Sequence, residues 1–262
     1  MDENKLKAKL RNGEPAIGVF VRMNAISVEI LGHTGWDFVI IDAEHGVHTM
    51  EDVSNMVRAA RSVGVSSIVR VPGAAPINIM RSLDAGADGV QVPQITSLAQ
   101  VTAAVEASRY YPRGQRGACA YSAATGYSTT PFPEHLETSN KEVMLVIHVE
   151  NAWAAEAIDE ILAIKGIDVV FCGPWDMSQS LGIPGNTTDP AVTALIDRTL
   201  AACDREKIST GIFVQKPEDA EAWLKKGVKY IACSVDVGMY ADTAAKNAKE
   251  MRECIGKFRH EA

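Results

Sequence analysis

Helix-like stretches of this chain end repeatedly in a glycine placed shortly before a run of Val and Ile: Gly35, Gly64, Gly86, Gly166 and Gly227. Glycine takes the left-handed conformation that closes a helix without a Cβ penalty, so each of these reads as a turn from helix directly into sheet. The strand-like runs are 16–20, 37–42, 66–71, 89–93, 143–150, 168–173, 209–214 and 230–235. They are nearly continuous in hydrophobicity rather than alternating, as strands of a parallel sheet covered on both faces must be. Helix starts lie between them: Thr49 three residues before Asp52, Ser97, Asp189 before Pro190, and Pro217 followed by Glu218 and Asp219. Eight strands in 262 residues favour an α/β chain closed as a (β/α)8 TIM barrel, one domain over 1–262, above a doubly wound open sheet with the same loops.

A hydrophobic fraction of 47% and a charged fraction of 23% are those of an ordinary globular protein. The net charge of −7, without a run of Lys and Arg along the chain, argues against a nucleic-acid partner. Cys119, Cys172, Cys203, Cys233 and Cys254 show no C-x-x-C spacing, so they are expected to be reduced thiols rather than a disulfide framework or a zinc site. The charged N-terminal stretch has no apolar core and no run reaches membrane-span length, which points to a cytoplasmic chain without membrane association. The segment 110–141 is expected to be a long irregular loop, in which Arg113 and Arg116 could close over an anionic substrate or hold a partner subunit.

Catalytic groups of a barrel come from the C-terminal ends of its strands. The richest such ends carry Glu150, closing the fifth run, and Asp176, in the turn Gly173-Pro174-Trp175-Asp176 after the sixth. Two carboxylates one strand-helix-strand unit apart suit a hard divalent cation, although Glu150 could instead cap the following helix. His148 stands two residues before Glu150 and so leaves the same strand face, able either to bind the metal or to hydrogen-bond its ligand. His45, in the loop Asp42-Ala43-Glu44-His45-Gly46, is the leading acid/base candidate, oriented by Asp42 or Glu44. Arg70 ends an apolar strand, where its guanidinium needs an anionic partner, either a structural carboxylate or a substrate oxygen. Arg22 adds a cation at the first strand's mouth. Lys216, beside Pro217, lies on the rim rather than in a Schiff-base pocket. No P-loop or G-x-G-x-x-G pattern supports a nucleotide cofactor.

The segments 38–46 (FVIIDAEHG), 70–72 (RVP), 83–93 (LDAGADGVQVP), 111–117 (YPRGQRG), Glu150 and 170–182 (VFCGPWDMSQSLG) together resemble the HpcH/HpaI class II pyruvate aldolases, a resemblance that runs nearly end to end. It implies a (β/α)8 barrel assembling as a hexamer, a trimer of dimers with C-terminal helices exchanged. It implies a bound Mg2+, Mn2+ or Co2+ held by Glu150 and Asp176, with His45 as base, Arg70 stabilising a pyruvate enolate and Asp84 raising the basicity of the histidine. The helix pattern instead puts Asp84 near a helix C-terminus, at the opposite end of its own barrel. The expected reaction is cleavage of a 4-hydroxy-2-oxo acid to pyruvate and an aldehyde through the metal-held enolate, with backbone N–H groups of the 173–176 turn receiving the substrate carboxylate. The family usually has Gln at the position of His148, Ala at that of Trp175 and a small residue at that of Arg22. These departures imply an acceptor aldehyde that is small or carries its own carboxylate. The alternatives are an oxaloacetate decarboxylase or CoA-thioester lyase of the same superfamily, or a 2-oxo acid binding protein without turnover.

Overall fold

The computed structural model describes residues 3–261. Eight parallel strands close in sequence order into a barrel: β1 (Ala16–Val21), β2 (Phe38–Asp42), β3 (Ser66–Arg70), β4 (Gly89–Val92), β5 (Met144–Val149), β6 (Val169–Cys172), β7 (Ser209–Val214) and β8 (Tyr230–Val235). Each of the eight expected runs is a strand, and pairing of β1 with β8 excludes the open sheet.

The lumen is filled rather than hollow. Phe20, Phe38, Ile40, Ile68, Val146, Phe171 and Tyr230 pack there, and glycines on neighbouring strands make the room. A Cβ on Gly18 would lie 2.2 Å from the Phe38 ring, and one on Gly211 would lie 2.8 Å from both Phe171 and Tyr230. Phe38 stacks on Tyr230 with centroids 4.1 Å apart. The first helix, α1 (Lys5–Arg11), plugs the N-terminal end of the barrel by adding Leu6 and Leu10 to this lumen cluster.

A second, larger core lies between the strands and the outer helices α2 (Ala25–His33), α3 (Met50–Val63), α4 (Pro76–Asp84), α5 (Leu98–Ser108), α7 (Ala152–Glu156), α8 (Ile158–Ala163), α9 (Pro174–Ser180), α10 (Pro190–Glu206) and α11 (Ala220–Lys225), with α6 (Phe132–Glu142) adding no residue to it. Thr49 and Asp52 form the expected capping box of α3, and Ser97 and Asp189 cap α5 and α10. Pro217 opens a single 3-10 turn ahead of α11. The helix-ending glycines have φ values of 91° (Gly35), 72° (Gly64), 93° (Gly86), 114° (Gly166) and 88° (Gly227), which confines those positions to glycine.

Two expectations change. The segment 110–141 is not irregular throughout, because Pro131 starts α6 over its final third. It also lies at the N-terminal end of the strands, between α5 and β5, where Arg116 pairs with Asp84 and Arg113 donates to the Asn140 carbonyl. Neither arginine covers the barrel mouth of its own chain. The last helix, α12 (Asp236–Glu261), rests on the barrel mainly through β1 and β8, with Asp236 accepting from Ser27 of α2 and from the Arg22 and Met23 amides. No helix among the described residues is long and apolar enough to cross a membrane.

Candidate active site

The ionisable side chains expected at the strand mouths collect at the C-terminal end of the barrel, with Glu150 at their centre. It follows β5, and capping of α7 falls to its neighbour Asn151, whose side chain accepts from Ala154 N at 2.8 Å. Glu150 is therefore released from the capping role. It is buried, yet both oxygens are held: Oε1 accepts the Gln94 backbone N–H at 2.6 Å, and Oε2 lies 2.6 Å from His148 Nδ1. Burial pushes this carboxyl up, but the His148 ring, the Gln94 amide and Arg70 outweigh it, and Glu150 stays below its usual value. Gln94 donates from a left-handed conformation, φ 57°, a strained state for a non-glycine residue and one that concentrates at functional sites.

The other face of His148 is equally occupied. Its Nε2 lies 2.6 Å from Gln91 Nε2, and Gln91 Oε1 accepts from the Tyr230 hydroxyl at 3.2 Å. Since the Tyr230 hydroxyl is the donor there, the Gln91 amide must point its N–H at His148 Nε2. The imidazole then carries its hydrogen on Nδ1 and donates to Glu150. The ring also stacks on Phe171 at 4.9 Å. A buried chain Tyr230–Gln91–His148–Glu150 thus fixes the carboxylate from below. Of the two readings of His148 the geometry matches the second: both nitrogens are taken and the residue is buried, so it hydrogen-bonds and positions Glu150 rather than contacting metal or substrate itself. Gln91 was missed, although a lone amide in the apolar run of β4 was a signal, because a buried amide must find a partner.

Gly173 explains how the second acid comes near. A Cβ there would sit 2.7 Å from Glu150 Cβ and 3.0 Å from Glu150 Oε2, so only glycine lets the turn after β6 pass the carboxylate. Its N–H is spent on the Val149 carbonyl and Pro174 has none, which leaves the amides of Trp175 and Asp176 as the first free donors of α9. Asp176 is half-buried in that first turn. Burial and then the charge of Glu150 push its carboxyl above the usual value. Asp176 thus feels the negative charge of Glu150, and a cation between the two acids would relieve it. No group of three or more His, Cys, Asp or Glu suited to a metal exists among the described residues. Two carboxylates and no thiol fit a hard divalent cation that takes its remaining oxygens from substrate and water.

Opposite lies a charged lattice. Arg70 grips Asp42 with two bonds, Nε to Oδ1 at 3.0 Å and Nη2 to Oδ2 at 2.8 Å, and places Nη1 3.1 Å from Glu44 Oε2. Its guanidinium lies over Phe20, 4.7 Å from the centroid. Asp42 Oδ1 also accepts the Glu44 and His45 backbone N–H groups, each at 3.2 Å. Burial pushes Asp42 up, but Arg70 and these amides draw it below its usual value. Asp42 therefore shapes the 42–46 loop and holds Arg70, a correction of the expectation that its carboxylate orients the His45 side chain for catalysis. The loop closes so tightly that a Cβ on Gly46 would lie 2.0 Å from the Asp42 carbonyl oxygen. His45 stands exposed at its tip with Nε2 3.8 Å from Glu44 Oε2, beyond hydrogen-bond reach. Arg22 donates to the His45 carbonyl and lies 3.6 Å from Asp42, so it braces the same loop.

Asp84 ends α4 at the opposite end of the barrel and binds Arg116 at 2.6 Å. Within one chain it does not join His45, contrary to the role implied by resemblance. Trp175 is exposed at the rim, and Lys216 is exposed on the rim as expected.

A closed parallel barrel with acids and a histidine on its C-terminal loops defines an enzyme of the TIM-barrel class. The profile of the HpcH/HpaI aldolase/citrate lyase family matches residues 16–243. The 5-keto-4-deoxy-D-glucarate aldolase of Klebsiella pneumoniae is 30% identical over 95% of this chain and 97% of its own length. The hydroxypyruvate/pyruvate aldolase of Agrobacterium fabrum is 32% identical over 92% and 91%. A crystal structure of an HpcH/HpaI aldolase/citrate lyase family protein from Burkholderia cenocepacia superposes with a TM-score of 0.90 at 30% identity, covering 95% of this chain and 99% of that one. The chain belongs to the HpcH/HpaI aldolase/citrate lyase family, and it is an aldolase-type carbon–carbon lyase.

Proposed function

We propose that this enzyme is a divalent-metal-dependent aldolase that cleaves a 4-hydroxy-2-oxo acid to pyruvate and an aldehyde. The observation that carries the reading is the pair Glu150 and Asp176, brought together at adjacent strand ends by the close passage of Gly173 past Glu150, with Asp176 raised by burial and then by the charge of Glu150. Relatives named as aldolases of keto-deoxy and hydroxypyruvate substrates are consistent with it.

Glu150 and Asp176 would hold Mg2+, Mn2+ or Co2+, which supplies Lewis-acid polarisation of the 2-oxo group. The protein's own groups do the rest. Arg70 has five N–H donors and commits three to Asp42 and Glu44, so two remain for an oxygen that gains charge as the C3–C4 bond breaks. His45, exposed and unencumbered, takes the proton of the C4 hydroxyl directly or through a water. The free amides of Trp175 and Asp176 receive the substrate carboxylate. Trp175 narrows the rim and Arg22 adds positive charge beside it, which favours an acceptor that is small or bears a carboxylate.

We also assign α12 to assembly. Val237, Met239, Tyr240, Met251, Ile255 and Phe258 are exposed along it, and apolar area of that kind is normally covered. Exchange of this helix between copies in a trimer of dimers would cover it, and a neighbouring copy could also bring an Asp84 to a barrel mouth.

The test is pyruvate release from a panel of 4-hydroxy-2-oxo acids with Mg2+, Mn2+ or Co2+, using Glu150→Ala as control. Metal-dependent release abolished by the substitution is expected, and release that survives it would remove the proposal. Turnover confined to oxaloacetate or a CoA thioester would transfer the site to the decarboxylase or lyase alternative.

A further inference from the structure

The N-terminal end of the barrel carries a concavity that the aldolase chemistry does not use. Two cavities of about 600 and about 560 Å3 open there and share Lys7, Arg11, Ile167 and Asp168 as a common floor. Each lies in the size range of small-molecule sites. Their cations come from sequence-distant segments, which is why no basic run announced them.

The floor is short of negative charge. Lys7 Nζ lies 2.9 Å from Asp168 Oδ1 and donates to the Val143 carbonyl at 2.9 Å, while Arg109 Nη2 lies 3.1 Å from Asp168 Oδ2. Both cations are buried, at 5% side-chain exposure each, and one carboxylate serves the two. That carboxylate is also committed to the Leu145 N–H at 2.9 Å. The rim adds more of the same sign. Arg11 and Arg113, with Lys207 and Lys229, line the cavities without an acid in ion-pair range among the described residues, and Asp204 is the other lining acid. The remaining rim lysines are matched from outside: Lys141 by Glu142, Lys165 by Glu206 and Lys226 by Asp197.

The buried pair feels this excess as well. Burial above all, then Arg109 and Arg11, hold the Lys7 amine below its ordinary value against the pull of Asp168. Burial, with Arg113 and Arg116, does the same to Arg109. In a chain of net charge −7, two buried cations sharing one carboxylate beside the solvent-accessible Arg11, Arg113, Lys207 and Lys229 make a place suited to an anion.

We propose that this concavity binds a phosphorylated small molecule, with a phosphate group over the Lys7–Arg11 floor and its body extending toward the Lys207–Lys229 rim. Phosphate is favoured over carboxylate for three reasons. A phosphate monoester carries close to two charges at neutral pH and three acceptor oxygens. Guanidinium forks match it bidentately. The hydroxyl-bearing residues Ser209 and Thr210 on the wall suit a sugar body. Occupancy would neutralise the buried cations and fasten α1 to the barrel floor, so the ligand stabilises the fold by mass action without entering the active site.

Calorimetric titration of the metal-loaded enzyme with fructose 1,6-bisphosphate, at an ionic strength of about 0.15 M, tests this. Saturable binding with an accompanying rise in Tm is expected, weakened about tenfold or more in Arg11→Ser/Lys207→Ser/Lys229→Ser. That triple variant should melt no lower than wild type without ligand and keep its basal activity, since it only relieves repulsion. Undiminished binding in the triple variant would overturn the site. So would loss of wild-type binding when chloride is raised to about 0.3 M, which marks a diffuse ion atmosphere. Citrate binding as tightly as the bisphosphate would overturn the assignment to phosphate.

Discussion

The two ends of this barrel are charged in opposite senses. At the C-terminal mouth Asp42, Glu44, Glu150 and Asp176 face Arg22 and Arg70, and Asp176, without an ion-pair partner among the described residues, is raised by burial and then by the charge of Glu150. At the N-terminal floor cations outnumber acids and crowd one aspartate. Strands of one sheet therefore hold an anionic deficit at one end and an anionic excess at the other. In the reading proposed above the mouth is completed by a cation plus substrate, whereas the floor is a structural plug that an anion would relieve. Function at the mouth should fail without loss of fold, and damage at the floor should cost fold without loss of chemistry.

The largest effect expected is at Glu150. Glu150→Gln or Asp176→Asn should lower turnover by about a thousandfold, the scale of removing a principal electrostatic stabiliser, with an unchanged circular dichroism spectrum. A wild-type rate in either variant would break the division between the ends. Gly173→Ala comes next. Its methyl would press on Glu150, whose nearest atom would be 2.7 Å away, and a shift of about 1 Å in a site of this kind costs about a hundredfold. Recovery of activity in Gly173→Ala at raised metal concentration would separate lost metal affinity from lost alignment.

At the floor, Asp168→Asn leaves Lys7 and Arg109 buried without a counter-charge. A loss of about 3 kcal/mol in urea unfolding is expected, as when one partner of a buried pair is removed, with activity per folded molecule retained. Equal stability of mutant and wild type would mean that the floor is already solvated or neutralised.

Legibility divides along the same line. The helix–Gly–strand rhythm and the mouths of β2, β5 and β6 could be read directly, because local conformation and strand-end position are properties of contiguous residues. The tautomer of His148 could not, since it depends on Gln91 and Tyr230, 57 and 139 positions apart in their bonds to each other's network. Asp42 was misassigned for a related reason: an acid beside a histidine in sequence turned out to bind that residue's backbone and an arginine 28 positions away. Asp84 shows the converse, a residue that resemblance sends to the active site and the chain's own topology sends to Arg116. The basic floor was invisible because it draws on α1, the 108–113 segment and the loops before β5, β6, β7 and β8.

The smallest effect is in the pH dependence of stability, and there the two ends should part company. Asp42 has a folded pKa below its usual value, so the unfolded chain binds its proton first as pH falls. Its contribution is present above the unfolded carboxylate value of about 3.9 and is lost as pH drops through the lower folded value. Lys7 also has a lowered folded pKa, but it is a base. Between that value and about 10.4 the unfolded chain holds more protons, so stability rises as pH increases through the window. Unfolding free energies measured from about pH 3 to about pH 10 should therefore lose an acid-side slope in Asp42→Asn and an alkaline-side gain in Lys7→Met. An alkaline gain that survives Lys7→Met would mean that the floor's charge excess is carried by the rim alone.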